Sequence, residues 1–334
     1  MENSYFGIRA VSNTALGYIN PEEKGCPEKF FDFLEGRFEQ KESKAMLTGT
    51  LIHARILEPD TIQMITIPKI SDNVRLIVDR IFNERYEDFK STEDLSAYEE
   101  QIIEFAAQEG YGQSWKPATM VNKVRNEGGD EYFKMMCENI GKTIVTDDIF
   151  SNLIKIESAI KTNPAAKELL FEETEDGIEV LNELEILFDL VADNGHTIQC
   201  KSKIDRLRID HNNKSFKVID LKTTSESVEF FPKVFMFRHM YRQLAMYETA
   251  AQAYLEQNKH EMYYPTTHSI LACETTGYSR VRRFDVSDTL IKKGHEERKS
   301  LINRIAWHIS MNERKNSMED VYSEFSFLLD EEIT

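Results

Sequence analysis

Three charged side chains in one short stretch set the first expectation: Asp205, Asp220 and Lys222, within KIDRLRIDHNNKSFKVIDLKTT from Lys203 to Thr224. Asparagine tolerates positive φ, so Asn212 and Asn213 suit the loop of a hairpin. Leu207 then faces Val218 and Ile209 faces Phe216, which makes one coherent apolar face. The same register sets Asp205 opposite Asp220. Directly opposed Cβ atoms lie about 4.5–5.5 Å apart, and like charges there destabilise a sheet, so two carboxylates so placed call for a cation between them. Side chains alternate along a strand, and Lys222 therefore points to the same face as Asp220. Hard oxygen ligands that leave positions for water and phosphate suit Mg²⁺ or Mn²⁺. The chemistry expected is metal-assisted hydrolysis: a bound water of lowered pKa, a clamped phosphate, and a lysine that orients the water or offsets developing negative charge. The bland alternative is an exposed hairpin with an ion-paired Asp–Lys set, because an aspartate followed about fifteen residues later by Asp-x-Lys is a weak pattern by itself.

The elements that must hold these residues are readable from periodicity. Val180–Val191, His196–Ile209 and Ser215–Leu221 alternate β-branched and aromatic residues with polar ones, separated by turns at Asp193-Asn194-Gly195 and Asp210 to Asn213, a three-stranded meander. A long helix is expected over Val228–Gln257, then strands near Ser269–Glu274 and Arg280–Val286, then a final helix over Asp288–Met311. Upstream, Ser12 can cap a short helix, Pro27–Gln40 is amphipathic, and Ser43–Leu57 is an apolar helix stopped before Pro59. Gly49 inside that helix costs about 1 kcal/mol relative to alanine, which points to close approach of another element. Residues 71–170 read as polar helical segments broken by Gly110, Gly112, Gly128 and Gly129, with a short strand at Thr143–Thr146. Helices before and after a mixed sheet give an α/β (α+β) class. The organisation expected is N-terminal helices over 1–70, a helical insertion or subdomain over 71–178, a core over 179–311 and an acidic tail over 312–334.

The 334 residues suit two domains or one core with a large insertion, and 41 % hydrophobic residues exclude wholesale disorder. The longest uncharged stretch beside an apolar segment, Met262–Cys273, contains Pro265, so no bilayer span is expected. The N-terminus lacks the basic-then-apolar pattern of a signal peptide. Cys26, Cys137, Cys200 and Cys273 form no close pair, which argues against a zinc knuckle or a cysteine-ligated cluster and for reduced, cytoplasmic thiols. No nucleophile elbow points to a serine or cysteine hydrolase. A net charge of −17 repels nucleic acid on average, yet Lys201 to Arg242 holds ten basic residues against five acidic ones. A second basic cluster runs from Arg280 to Arg304. Ordinary surface fluctuation explains both; a confined anion channel explains their concentration better. Lys201, Lys203, Arg238 and Arg242 are the candidates to contact DNA phosphates, the alternative being that they pair with the many acids.

The run CKSKIDRL…KVIDLKTT, with GTLIHARILEP upstream and YRQLAMY downstream, resembles the PD-(D/E)xK nucleases, and within them the exonuclease VIII (RecE-like) branch of phages and prophages. The matching motifs span Ser12 to Tyr247 and leave 71–178 unmatched. The resemblance implies a restriction-endonuclease-like mixed central sheet flanked by helices. It implies His53, Asp205 and Asp220 as metal ligands, Lys222 as catalytic, and Gln243 with Tyr247 as support for the site. Gly49 lies four residues before His53 on the same helical face and lets that face approach a sheet; it is the resemblance, more than this spacing, that favours a ligand over a core histidine. Glu183 and Glu185 begin the first strand and one of them can supply a further acidic ligand; alternation puts both on one face, and the expectation here leans to Glu185. The activity implied is a Mg²⁺-dependent (Mn²⁺ as substitute), processive 5′-to-3′ exonuclease on linear double-stranded DNA ends. It would leave a 3′ overhang for a single-strand annealing protein in recombination, in a bacterial cytoplasm and as a ring-shaped homo-oligomer. The rivals are a RecB-like nuclease of other polarity or endonuclease activity, and a non-catalytic DNA-end-binding module.

Overall fold

The computed structural model describes residues 5–37, 44–67, 70–85, 94–140, 142–172, 175–259 and 262–315. The chain forms two compact units, Met1–His53 with Ser158–Thr334, and Ala54–Glu157. Along the chain, α1 (Asn13–Ile19), α2 (Pro27–Leu34) and α3 (Lys44–Leu57) come first. They are followed by β1 (Met64–Ile67), α4 (Asp72–Arg85), α5 (Glu99–Gln108), α6 (Pro117–Val124), α7 (Asp130–Glu138), β2 (Thr143–Thr146) and α8 (Asp147–Thr162). The rest comprises α9 (Pro164–Leu170), β3 (Ile178–Val191), β4 (Thr197–Asp210), β5 (Ser215–Thr224), α10 (Phe231–Phe237), α11 (Met240–Lys259), β6 (Tyr264–Pro265), β7 (Ser269–Glu274), β8 (Val281–Asp285) and α12 (Asp288–Lys315).

The larger unit is built on a six-stranded mixed sheet of order β3-β4-β5-β7-β8, with β6 paired to β5. The β3-β4-β5 meander is antiparallel, β5 and β7 are parallel, and β7-β8 is antiparallel. The hairpin register is the expected one, Leu207 against Val218 and Ile209 against Phe216. Its turn is four residues long, and the positive φ falls on Lys214 rather than on an asparagine. β5 is central, so Val218, Ile219, Asp220 and Leu221 are all buried and alternation gives way to a continuous run. The parallel β5-to-β7 step needs a crossover, which α10 and α11 supply. One contiguous core joins Leu207, Ile209, Phe216 and Val218 of the sheet to Leu244, Ala251 and Leu255 of α11 and to Ile302 and Ile305 of α12. Gly294 allows α12 to lie close on α11, since a Cβ there would stand 2.3 Å from the Tyr241 carbonyl oxygen.

The single helix expected over Val228–Gln257 is two. His239 takes φ 49°, and the chain turns between α10 and α11. α2 stops at Leu34, short of Gln40, and residues 38–40 lie outside the described residues, as does the tail from 316 onward.

The smaller unit has its own core of Val74, Ile77, Ile81, Ile102, Phe105 and Phe133 from α4, α5 and α7. Its strand β2 is the expected Thr143–Thr146, but the parallel partner β1 was not expected. The insertion boundaries expected at 71 and 178 fall at 54 and 157 instead. The cause at the far end is α9, which belongs to the larger unit: Asn163 Nδ2 donates to the Val281 carbonyl at 3.1 Å, and Arg206 Nε to that of Leu169 at 3.0 Å. Among the described residues no helix is long and apolar enough to cross a membrane.

Candidate active site

Strand pairing brings the acids together and one helix completes the group. At Gly49 of α3 a Cβ would stand 3.1 Å from the Thr223 hydroxyl, so the missing side chain lets the helix come down on the end of β5. One turn later His53 Nδ1 lies 3.5 Å from the Glu183 carboxylate and 3.6 Å from that of Asp205. Ligand atoms of His53, Glu183 and Asp205 all lie within 4.8 Å of one another.

Asp205 and Asp220 share the expected register, but the β4-β5 ladder ends one pair short of them, at Arg206 and Ile219. The Asp205 carboxylate accepts the Leu221 N–H at 2.8 Å, which fixes it at the point where the ladder stops. Asp220 is 1 % exposed and accepts from Lys222 Nζ at 2.7 Å. Burial pushes the Asp220 carboxyl up to about 6 even against the attraction of Lys222, and the Asp205 charge adds to the rise. Burial opposes charge on Lys222, but Asp220 and Asp205 outweigh it and hold the ammonium above its ordinary value. Burial likewise opposes charge on His53, and Asp205 and Glu183 reverse the balance and raise it.

Behind the acids, Gln243 Nε2 donates to the Tyr247 hydroxyl at 2.7 Å, joining the two residues one turn apart on α11. Burial and then the charges of Asp205 and Asp220 raise the phenol well above its ordinary value, so it stays a neutral O–H near the acids.

The residues present suit a divalent cation. Glu183 Oε1 is buried without a hydrogen-bond partner, and a carboxylate oxygen is desolvated in that way only at a substantial energetic penalty unless a positive charge answers it. One imidazole nitrogen and several carboxylate oxygens form a hard donor set that Mg²⁺ or Mn²⁺ accepts.

The acid gathered here from β3 is Glu183, not Glu185. Glu183 takes φ 49° and interrupts the β3-β4 ladder, which pairs Asn182 with Arg206 and Leu184 with Ile204 but skips the position opposite Asp205. The kink breaks the alternation that put both glutamates on one face. The Glu185 side chain is 49 % exposed and lies 3.8 Å from Lys203. Burial works to raise the Glu183 carboxyl, but its interactions with His53 and Lys203 hold it below its ordinary value. A left-handed conformation at a residue with a Cβ costs roughly 1–2 kcal/mol, a strain of the kind kept where a side chain must be aimed. Glu183→Gly is therefore expected to raise stability by about 1 kcal/mol and to lower cleavage by about 10²-fold or more. Urea denaturation and a cleavage assay read the two effects, and unaltered cleavage would remove Glu183 from the site.

The four basic candidates separate. Lys201 is 8 % exposed and donates to the Tyr5 and Ile8 carbonyls at 2.9 and 2.7 Å, so it ties the N-terminal segment to β4 and does not face DNA. Arg242 is 1 % exposed, held by Asn13 at 3.0 Å, Glu23 at 2.5 Å and Glu297 at 2.7 Å. Both are corrections: a guanidinium or ammonium already neutralised or capped inside the protein has nothing left for a phosphate. Lys203 sits beside the acids, 3.0 Å from Glu183. Arg238 is exposed and lines a cleft with Lys222 and Gln243. In the second basic cluster, Arg280 pairs with Glu274, Arg282 with Glu229, Arg283 with Glu168 and Asp285, and Lys299 with Asp193. Half of that cluster's eight basic residues are thus matched by acids.

A family model places the chain among the PD-(D/E)xK-like proteins, a superfamily that includes nucleases that hydrolyse phosphodiesters. The profile of the family described as "PDDEXK-like domain of unknown function (DUF3799)" matches residues 18–321, and the chain belongs to that family. Among solved structures, the chain is similar to a provisionally designated exonuclease from Eubacterium rectale, at 13 % identity and a TM-score of 0.48, over 91 % of this chain and 83 % of that one. None of the curated proteins matches it.

Proposed function

We propose that the chain is a divalent-metal-dependent deoxyribonuclease that degrades linear double-stranded DNA from its ends. The single observation that carries this reading is the buried set of Asp220 bonded to Lys222 at 2.7 Å beside the His53, Glu183 and Asp205 group. A retired site has no reason to hold that many carboxylates against one another. His53, Glu183, Asp205 and Asp220 are the residues that would hold Mg²⁺, or Mn²⁺ in its place. When bound, such an ion polarises the phosphate and lowers the pKa of water, which supplies the nucleophile. The protein's own part is to aim and to balance charge. Lys222, kept protonated by Asp220 and Asp205, orients the attacking water and offsets charge developing on the phosphate oxygens. Gln243 and the neutral Tyr247 hydroxyl hold the α11 side of the site in place.

The sequence resemblance to the RecE-like branch supports the finer reading. On it, digestion is processive and runs 5′ to 3′, a homo-oligomer encircles the DNA in the bacterial cytoplasm, and the 3′ overhang passes to a single-strand annealing protein. Linear duplex labelled at either the 5′ or the 3′ end, and a covalently closed circle, incubated with Mg²⁺, test it together. Immediate release of the 5′ label, late release of the 3′ label and an intact circle are expected. Nicking of the circle makes the enzyme an endonuclease, early 3′ release reverses the polarity, and retention of DNA without any cleavage makes it a binding module.

A further inference from the structure

The cleft that contains Lys222 and Gln243 has a volume of about 810 Å³ and is also lined by Tyr18, Phe237 and Arg238. Phe237 is 83 % exposed. A phenyl ring left in water forgoes most of the stabilisation its burial would bring, and its neighbour Arg238 is exposed too. The turn that carries them is held firmly. Arg238 N–H donates to the Val234 carbonyl at 2.9 Å and ends α10, and Arg242 N–H donates to that of His239 at 3.0 Å as α11 begins. Glu297 of α12 then gathers His239 at 2.8 Å, the Tyr241 hydroxyl at 2.6 Å and Arg242 at 2.7 Å. Exposure of Phe237 is thus a fixed feature of the backbone. Tyr278, at 87 % exposed, makes the contrast: it sits on the β7-β8 turn, away from this cleft, with the Arg280 guanidinium 6.0 Å from its ring centre.

An exposed aromatic ring on a hydrogen-bonded turn, next to an arginine in a nuclease cleft, offers a base a stacking platform and its phosphate a charge partner. A base paired inside a duplex is stacked on both faces and a blunt end leaves open only the outer face of its last pair, whereas an unpaired strand can offer a face and its backbone at each base. We infer that the Phe237–Arg238 turn grips one unpaired strand of DNA, with Phe237 stacking on a base and Arg238 pairing with the adjacent phosphate. The strand is thereby led toward Lys222, so the site engages the frayed end of a linear duplex through one strand and not through the paired helix. This rests on the nuclease reading of the site.

Binding measured with chelator present separates the two ideas, because it needs no cleavage. Fluorescence anisotropy of a labelled single-stranded 12-mer, and of the blunt duplex of the same length, is followed across a salt series. The single strand is expected to bind more tightly. Phe237→Ala should weaken it about ten-fold at every salt concentration and Phe237→Trp should restore it. Arg238→Ala should weaken it and flatten the salt dependence by about one phosphate contact. 2-Aminopurine at the strand end should be quenched by the wild type and not by Phe237→Ala. Unchanged affinity and quenching in Phe237→Ala, or equal losses for strand and duplex, would overturn the inference. Strand gripping by a chain that never cleaves would leave it standing and remove the proposed activity instead.

Discussion

Asp220→Asn and Lys222→Met are each expected to lower the rate of DNA cleavage by about 10³-fold while the chain remains folded. Both substitutions preserve shape and remove charge. Asp220 is 1 % exposed and bonded to Lys222 at 2.7 Å, and asparagine keeps that volume and an oxygen for the lysine. It gives up the negative charge that cation binding requires. Lys222→Met keeps the aliphatic stem packed and deletes only the ammonium, leaving no counter-charge for an attacking water or a developing oxyanion. The assay is the initial rate on end-labelled linear duplex at saturating Mg²⁺, with circular dichroism to verify the fold. EDTA added to the wild type should abolish cleavage, and excess Mg²⁺ should restore it. A variant that keeps a tenth of the wild-type rate would show that its residue is not part of the reacting group.

Arg242→Ala should destabilise the larger unit by about 3–5 kcal/mol, a large loss for one charged side chain. Its guanidinium is 1 % exposed and serves Asn13 of α1, Glu23 and Glu297 of α12 together. Removing it leaves two carboxylates in one place largely shielded from water, with His239 Nδ1 2.8 Å from Glu297. Lysine cannot replace the fork, because one compact ammonium does not reach three separate acceptors as a planar guanidinium does. Arg238→Ala, four residues earlier and exposed, should leave the unfolding free energy from urea denaturation within about 0.5 kcal/mol of wild type. Equal stability of the two variants would mean that the Glu23–Arg242–Glu297 group contributes nothing net to folding.

How far the sequence could be read depended on what fixed each residue. The meander was legible because Leu207, Ile209, Phe216 and Val218 admit one register that buries them together. That register also places Asp205, Asp220 and Lys222 near one another. Gly49 announced a close approach, and Thr223 is what it meets. Glu183 was not legible, since a positive φ has no reliable letter when the residue is not glycine. Nor was the break at His239, where the hydrophobic pattern runs on through a turn that Glu297, far along the chain, secures. Lys201 and Arg242 read as surface charge because a basic residue carries no mark of the acceptor that will bury it. β1 was missed because Met64–Ile67 is a strand by virtue of a partner almost eighty residues away.

The discontinuity of the larger unit bears on how the site comes into being. His53 stands before the smaller unit, and the acids it meets, Glu183 and Asp205, follow roughly 130–150 residues later. At a synthesis rate of roughly 5–20 residues per second, about 8–30 s pass between the two on the ribosome. A nascent chain therefore carries its histidine helix and the whole inserted unit before any acid of the reacting group exists, and it stays inert toward the nucleic acid around it. Competence comes late, after the central hairpin and the later strand and helices that pack on it have emerged to close on a helix made long before.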